Sequence, residues 1–92
     1  DAYAFKWYRL AADQGHPISQ NNLGALYVEG LGGPKDPVFG LMWLILAADG
    51  GYTPAADAVK SQSNSLTSAQ ILIAKQMALL WKEKQGLNVA RR

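Results

Sequence analysis

Two stretches of the chain repeat one another 36 residues apart. Trp7-Tyr8-Arg9-Leu10-Ala11-Ala12-Asp13-Gln14-Gly15 returns as Trp43-Leu44-Ile45-Leu46-Ala47-Ala48-Asp49-Gly50-Gly51, both of the form W-x-x-L-A-A-D-x-G. A fixed period of this size is the length of a helix pair and marks a stacked helical array. In such an array each unit buries its apolar face only against a neighbour, so stacking supplies most of the stability. That constraint steers function toward binding and scaffolding, and no catalytic motif points elsewhere.

Helical periodicity and Gly/Pro punctuation divide the chain into five helices and no strands. Tyr3, Trp7, Leu10 and Ala11 follow helical spacing, and Gly15 stops that first helix in the left-handed conformation open to glycine. Pro17 opens a second helix running to about Glu29, on which Leu23, Leu26, Tyr27 and Gly30 share a face. A glycine inside a helix costs about 1 kcal/mol against alanine, so Gly24 implies close approach of a neighbouring helix. The turn-rich segment Gly30-Leu31-Gly32-Gly33-Pro34-Lys35-Asp36 follows; no strand precedes its glycines and Pro34 removes a donor, so it is not a phosphate cradle. Asp36 and Pro37 start a third helix that is apolar around most of its circumference, where the first carries Lys6, Tyr8 and Arg9 in place of Met42, Leu44 and Ile45. The third helix is therefore expected to be buried on two sides. Thr53 is expected to cap a short fourth helix and Ser61–Ser65 to break it. Thr67-Ser68-Ala69-Gln70 fits a capping box for a last helix ending at Gly86, with a stripe of Ile73, Ala74, Met77, Leu80 and Trp81.

Composition narrows the function further. The 92 residues are about half apolar and include no cysteine, which removes disulfides, thiolate nucleophiles and thiolate metal ligands. The net charge of +2 is too small to imply nucleic acid. Charge is unevenly spread, acidic up to Asp57 and basic after it, which fits lysines complementing the last helix's dipole. No apolar run is long enough for a membrane span. His16 is the only histidine, with no H-x-x-x-H partner, so no metal site and no cofactor are expected. Ser61, Ser63 and Ser65 lie outside any nucleophile elbow, and Asp13 and Asp49, one period apart, are expected beside turn amides rather than in a paired acid–base site. The three tryptophans are expected in the core.

Leu23-Gly24-x-x-Tyr27-x-x-Gly30, a glycine-containing loop, Asp36, Trp43 and Ala47-Ala48-x-x-Gly51 together resemble the Sel-1-like repeat, a relative of the tetratricopeptide repeat. The resemblance covers about two-thirds of the chain. It implies an all-α fold, a right-handed α-α superhelix of stacked antiparallel helix pairs. Within a single helical-repeat domain of residues 1–92, residues 1–15 correspond to the second helix of a truncated repeat and 16–51 to one full repeat. Residues 52–65 form a degenerate half repeat, because Lys60 stands where Gly24 stands one period earlier. Residues 66–86 are expected to be a C-terminal capping helix and 87–92 a frayed tail.

The same resemblance implies a non-enzymatic module that binds a protein or peptide on the concave face lined by the first helix of each pair. By register from Leu23-Gly24-x-x-Tyr27, the outward residues are Ile18, Asn21, Ala25, Val28 and Glu29, with Asp57 matching Asn21 in the degenerate unit; Asn21 and Asn22 can hold a peptide backbone. The alternative is an array end that self-associates as a homodimer through its uncapped N-terminal face, or joins a longer parent chain there. Cysteine-rich relatives are linked to β-lactam binding, but this chain lacks both cysteine and S-x-x-K. Adaptors of this family occur in the bacterial envelope and periplasm, the compartment the resemblance favours.

Overall fold

A computed structural model describes the backbone of residues 2–90 and the side chains of residues 2–86. Among the described residues the chain is all-helical, in the order α1 (Ala2–Asp13), α2 (Pro17–Glu29), α3 (Pro37–Asp49), α4 (Thr53–Ser63) and α5 (Ser68–Ala90).

The helix boundaries follow from local chemistry. Gly15 at φ +86° and Gly30 at φ +74° take the left-handed conformation that closes α1 and α2. Asp36 caps α3, its carboxylate accepting from the Phe39 N–H at 3.1 Å. Thr67 and Gln70 form the reciprocal capping box of α5: Thr67 N–H donates to Gln70 Oε1 at 2.9 Å and Gln70 N–H to Thr67 Oγ1 at 3.1 Å.

His16, in the turn before α2, caps that helix with Nδ1 accepting from the Ser19 N–H at 3.2 Å. Three local expectations are corrected. Thr53 lies inside α4; Tyr52 holds the cap position and makes no side-chain cap bond. Ser61–Ser63 continue α4 rather than break it, and Ser63 returns its hydroxyl to the Val59 carbonyl at 2.7 Å. Gly86 does not end α5, which continues to Ala90; a single glycine costs a long helix too little to stop it when no other signal follows. Of the expected tail, Arg91 and Arg92 lie outside the described residues.

α3 is the centre of the molecule. It packs most closely on α2, and α4 and α5 both lie against it, while α1 packs on α2. Gly40 through Leu44, with Leu46 and Ala47, are buried, so α3 is covered on two sides as its composition implies. The α2–α3 crossing is tight because two glycines meet. A Cβ on Gly24 would lie 2.9 Å from the Gly40 carbonyl oxygen, and one on Gly40 2.8 Å from the Gly24 carbonyl. Gly24 alone was legible as a contact glycine; Gly40 is its counterpart. α4 and α5 do not form the close pair that α2 and α3 form. Lys60, exposed at the position of Gly24, leaves no flat surface for such a pair, and α5 instead crosses α3 and reaches the end of α1.

The core is Ala12, Leu23, Tyr27, Met42, Trp43, Leu46 and Ala78, flanked by Phe5, Tyr8, Phe39, Met77 and Trp81. An edge-to-face relay of rings runs through it: Phe5 to Tyr27 at 5.0 Å, Tyr27 to Phe39 at 4.8 Å, Phe39 to Trp43 and Trp43 to Trp81 at 6.0 Å each. The face α5 packs inward is Ala74, Met77, Ala78, Trp81 and Gln85, which keeps three residues of the expected stripe and drops two. Ile73 and Leu80 are exposed, because Trp81 docking on Trp43 turns the helix and the two alanines allow it to sit close. Trp7, expected in the core, is 57% exposed, and Tyr3 and Leu10 beside it are exposed too. Among the described residues no helix covers that face of α1.

Candidate functional site

α2 buries Ser19, Gln20, Leu23, Gly24 and Tyr27. This spacing turns the opposite side of the helix outward. Gln20 is satisfied inside, donating Nε2 to the Ala12 carbonyl at 3.2 Å, and so fixes α2 against the end of α1. Tyr27 is almost fully buried and receives a hydrogen bond from Arg9 Nη1 at 3.3 Å. Burial pushes its phenol above the ordinary tyrosine value, and the Arg9 guanidinium partly opposes that shift.

The outward side of α2 faces α4 across a cleft of about 190 Å³. Asn21, Ala25, Val28 and Glu29 form one wall; Ala58, Ser61 and Gln62 of α4 form the other, and Leu44 of α3 is the floor. Four of the six residues read from the sequence therefore come together. Ile18 is exposed one turn before the cleft, and Asp57 is exposed on α4 outside its lining. Asn22 also lies outside it. Ala58, Ser61 and Gln62 were missed because the serines were read as a helix break. The 36-residue register that carries Asn21 onto Asp57 also carries Ala25 onto Ser61, and would have found the second wall.

The chemistry of the cleft is that of a holder. Two carboxamides and a hydroxyl can donate and accept, the alanines, Val28 and Leu44 offer a narrow apolar floor, and Glu29 supplies one negative charge at the rim. The Asn21 Oδ1 is withdrawn from solvent and has no hydrogen-bond partner. An unmet buried acceptor of this kind carries a cost to the fold.

The described serine–histidine contact does not make a nucleophile. The Ser19 hydroxyl lies 2.7 Å from His16 Nδ1, but that nitrogen already accepts the Ser19 N–H within the same turn, and Ser19 is buried. The pair is a helix cap. Asp13 and Asp49, expected beside turn amides, instead form ion pairs: Asp13 with Arg9 at 3.9 Å, and Asp49 with Lys82 of α5. Among the described residues no three His, Asp or Glu side chains gather as metal ligands, and no helix is long and apolar enough to cross a membrane.

A family model described as Sel1 repeat matches residues 1–16 and 17–52. No curated protein matches the chain. The matched segments end at the Gly15 turn and the Tyr52 turn, which are the two junctions where α1 gives way to α2 and α3 to α4.

Proposed function

The chain belongs to the Sel1-repeat family, whose repeats generally mediate protein–protein interaction, and from that premise we propose that it binds a short peptide segment in the cleft between α2 and α4 without carrying out catalysis. The observation that carries this reading is the convergence of Asn21, Ala25, Val28 and Glu29 with Ser61 and Gln62 on one narrow cleft. An extended peptide lying along it meets Asn21, Ser61 and Gln62 as backbone partners, with Leu44 beneath them. Glu29 favours a basic residue at the end nearest the α2 C-terminus.

Selection of displayed random peptides on the 92-residue chain tests this. Selected peptides should lose affinity, by roughly tenfold or more for a lost buried hydrogen bond, when Asn21→Ala or Gln62→Ala is introduced, and lose their basic preference with Glu29→Gln. Asp57→Ala should leave them unaffected. Peptides that bind all four variants as they bind the unaltered chain refute the cleft as the site.

A second reading is supported by α1. Tyr3 and Trp7 stack edge-to-face at 6.1 Å and 68°, nearly the arrangement of Phe39 and Trp43 at 6.0 Å and 70° one period later. The later pair is covered and the earlier is open. The α1 face is thus prepared to receive a helix, from a longer chain or a second copy. Trp7→Gln should abolish such association and leave the fold intact by circular dichroism.

A further inference from the structure

α5 is buried on one side only. On the other, Leu72, Ile73, Leu79 and Leu80 are 55%, 48%, 58% and 64% exposed. These four leave a patch of roughly 400 Å² per copy, a size at which apolar patches on monomers are commonly functional.

Their placement is symmetric. Counted from Gln76, they stand at −4, −3, +3 and +4. At 100° per residue the four fall in one arc centred on Gln76, with Leu72 and Leu79 on one flank and Ile73 and Leu80 on the other. A face patterned alike in both directions suits an isologous contact, in which the same patch meets itself about a two-fold axis.

We propose that α5 pairs antiparallel with α5 of a second copy of this chain, the two-fold axis passing at Gln76. In that register Leu72 lies level with Leu80 of the second copy and Ile73 level with its Leu79. The two-fold axis keeps each flank on its own side, so Leu72 also faces Leu79 of the second copy and Ile73 its Leu80, within one residue's rise. Gln76 meets Gln76, and because a carboxamide both donates and accepts, the two side chains can satisfy one another. A single polar pair at the centre of an apolar seam fixes register, since any slip buries it against leucine. The charges permit the contact: Glu83 falls level with Ala69 and Lys84 with Ser68, and Lys82 is held by Asp49 of its own chain. With Ala69, Gln76 and Glu83 added to the leucines, the two copies bury on the order of 1,000 Å², the low end for a specific interface, so association in the micromolar range is expected.

The absence of cysteine makes the test direct. Single substitutions Gln76→Cys and Leu72→Cys are placed in the 92-residue chain and oxidised mildly in the micromolar range. Antiparallel pairing brings residue 76 against itself but holds the two copies of residue 72 about 12 Å apart along the helices, too far for a disulfide. Gln76→Cys should therefore cross-link about tenfold faster than Leu72→Cys, and Leu72→Cys should cross-link readily when mixed with Leu80→Cys. Light scattering should show a concentration-dependent dimer that Leu79→Gln/Leu80→Gln abolishes without loss of helicity and that Trp7→Gln leaves unchanged. A monomer throughout, equal rates for the single-cysteine variants, a parallel pattern in which residue 72 cross-links as fast as residue 76, or a dimer removed by Trp7→Gln each overturn the proposal. None of these outcomes bears on the α2–α4 cleft, which shares no residue with this face.

Discussion

At the scale of single residues, two facts set the limits of the fold. The first is that α2 and α3 touch through glycine. A methyl group at either Gly24 or Gly40 meets a carbonyl oxygen of the facing helix at under 3 Å, and a backbone cannot move aside as a flexible side chain can. Gly24→Ala and Gly40→Ala should each destabilise the chain by about 2–3 kcal/mol in urea unfolding, against the small gain that alanine gives an open helix position. The second fact is that Tyr27 is buried with a raised phenol pKa. In the unfolded chain the phenol ionises near pH 10, before it does so in the folded chain, so the unfolded state releases its proton first and stability falls as pH rises above about 10. The unaltered chain should lose stability over that range more steeply than Tyr27→Phe, and unfolding followed by circular dichroism from pH 8 to 11 would show whether the two curves converge. Gly24 and Tyr27 were visible in the sequence as family positions, but Gly40 was not. Its role exists only once two helices cross, and a glycine in an otherwise apolar helix gives no sign of what lies opposite it.

At the scale of elements, α5 departs most from its expected form. Its start was legible because a capping box is a local code, and the hydrogen bonds of Thr67 and Gln70 complete it. Its end was not, and its buried face was only in part. Gly86 is a helix-interior residue with open space around it, so the chain bears its cost without return, and Gly86→Ala should raise stability by up to about 1 kcal/mol and increase helicity. A decrease would mean that the glycine serves a contact or a bend. Of the stripe Ile73, Ala74, Met77, Leu80 and Trp81, three residues pack inward, but periodicity does not tell Ile73 and Leu80 from Ala78 and Gln85 at its borders. Packing selects the latter, since Trp81 meets Trp43 and its ring end lies beside Gly15, and alanine lets the helix axes approach. The leucines are left outside for the same reason. α4 shows the converse failure: its serines read as a break, yet within a helix a serine can bond back to the carbonyl one turn earlier, as Ser63 does to Val59.

At the scale of the whole molecule, the repeat explains why identical segments meet different fates. The two copies of W-x-x-L-A-A-D-x-G form helices of the same kind, ending in the same turn, with the same edge-to-face aromatic pair at their start. What differs is the neighbour. Trp43 has Phe39 on one edge and Trp81 on another and is 2% exposed, whereas Trp7 is 57% exposed. The fold class was therefore legible from the echo, and the burial of α3 on two sides from Met42, Leu44 and Ile45 standing where α1 has Lys6, Tyr8 and Arg9, but the exposure of Trp7 was not, because the tryptophan is the same in both copies and its cover belongs to the neighbouring unit. The consequence can be measured. Trp43→Ala should cost about 3–5 kcal/mol, as loss of a buried indole does, and should release α5, whose Trp81 would lose its platform. Trp7→Ala should cost below about 1 kcal/mol in the isolated chain. The two substitutions remove the same group from the same motif, so composition and helix propensity cancel between them. If Trp7→Ala proves as costly as Trp43→Ala in dilute solution, α1 is held by contacts other than those to α2, and position in the array does not determine what each copy contributes. If instead its cost rises with protein concentration while that of Trp43→Ala stays fixed, the α1 face is being covered by another molecule, and the difference between the two concentrations measures what that cover adds.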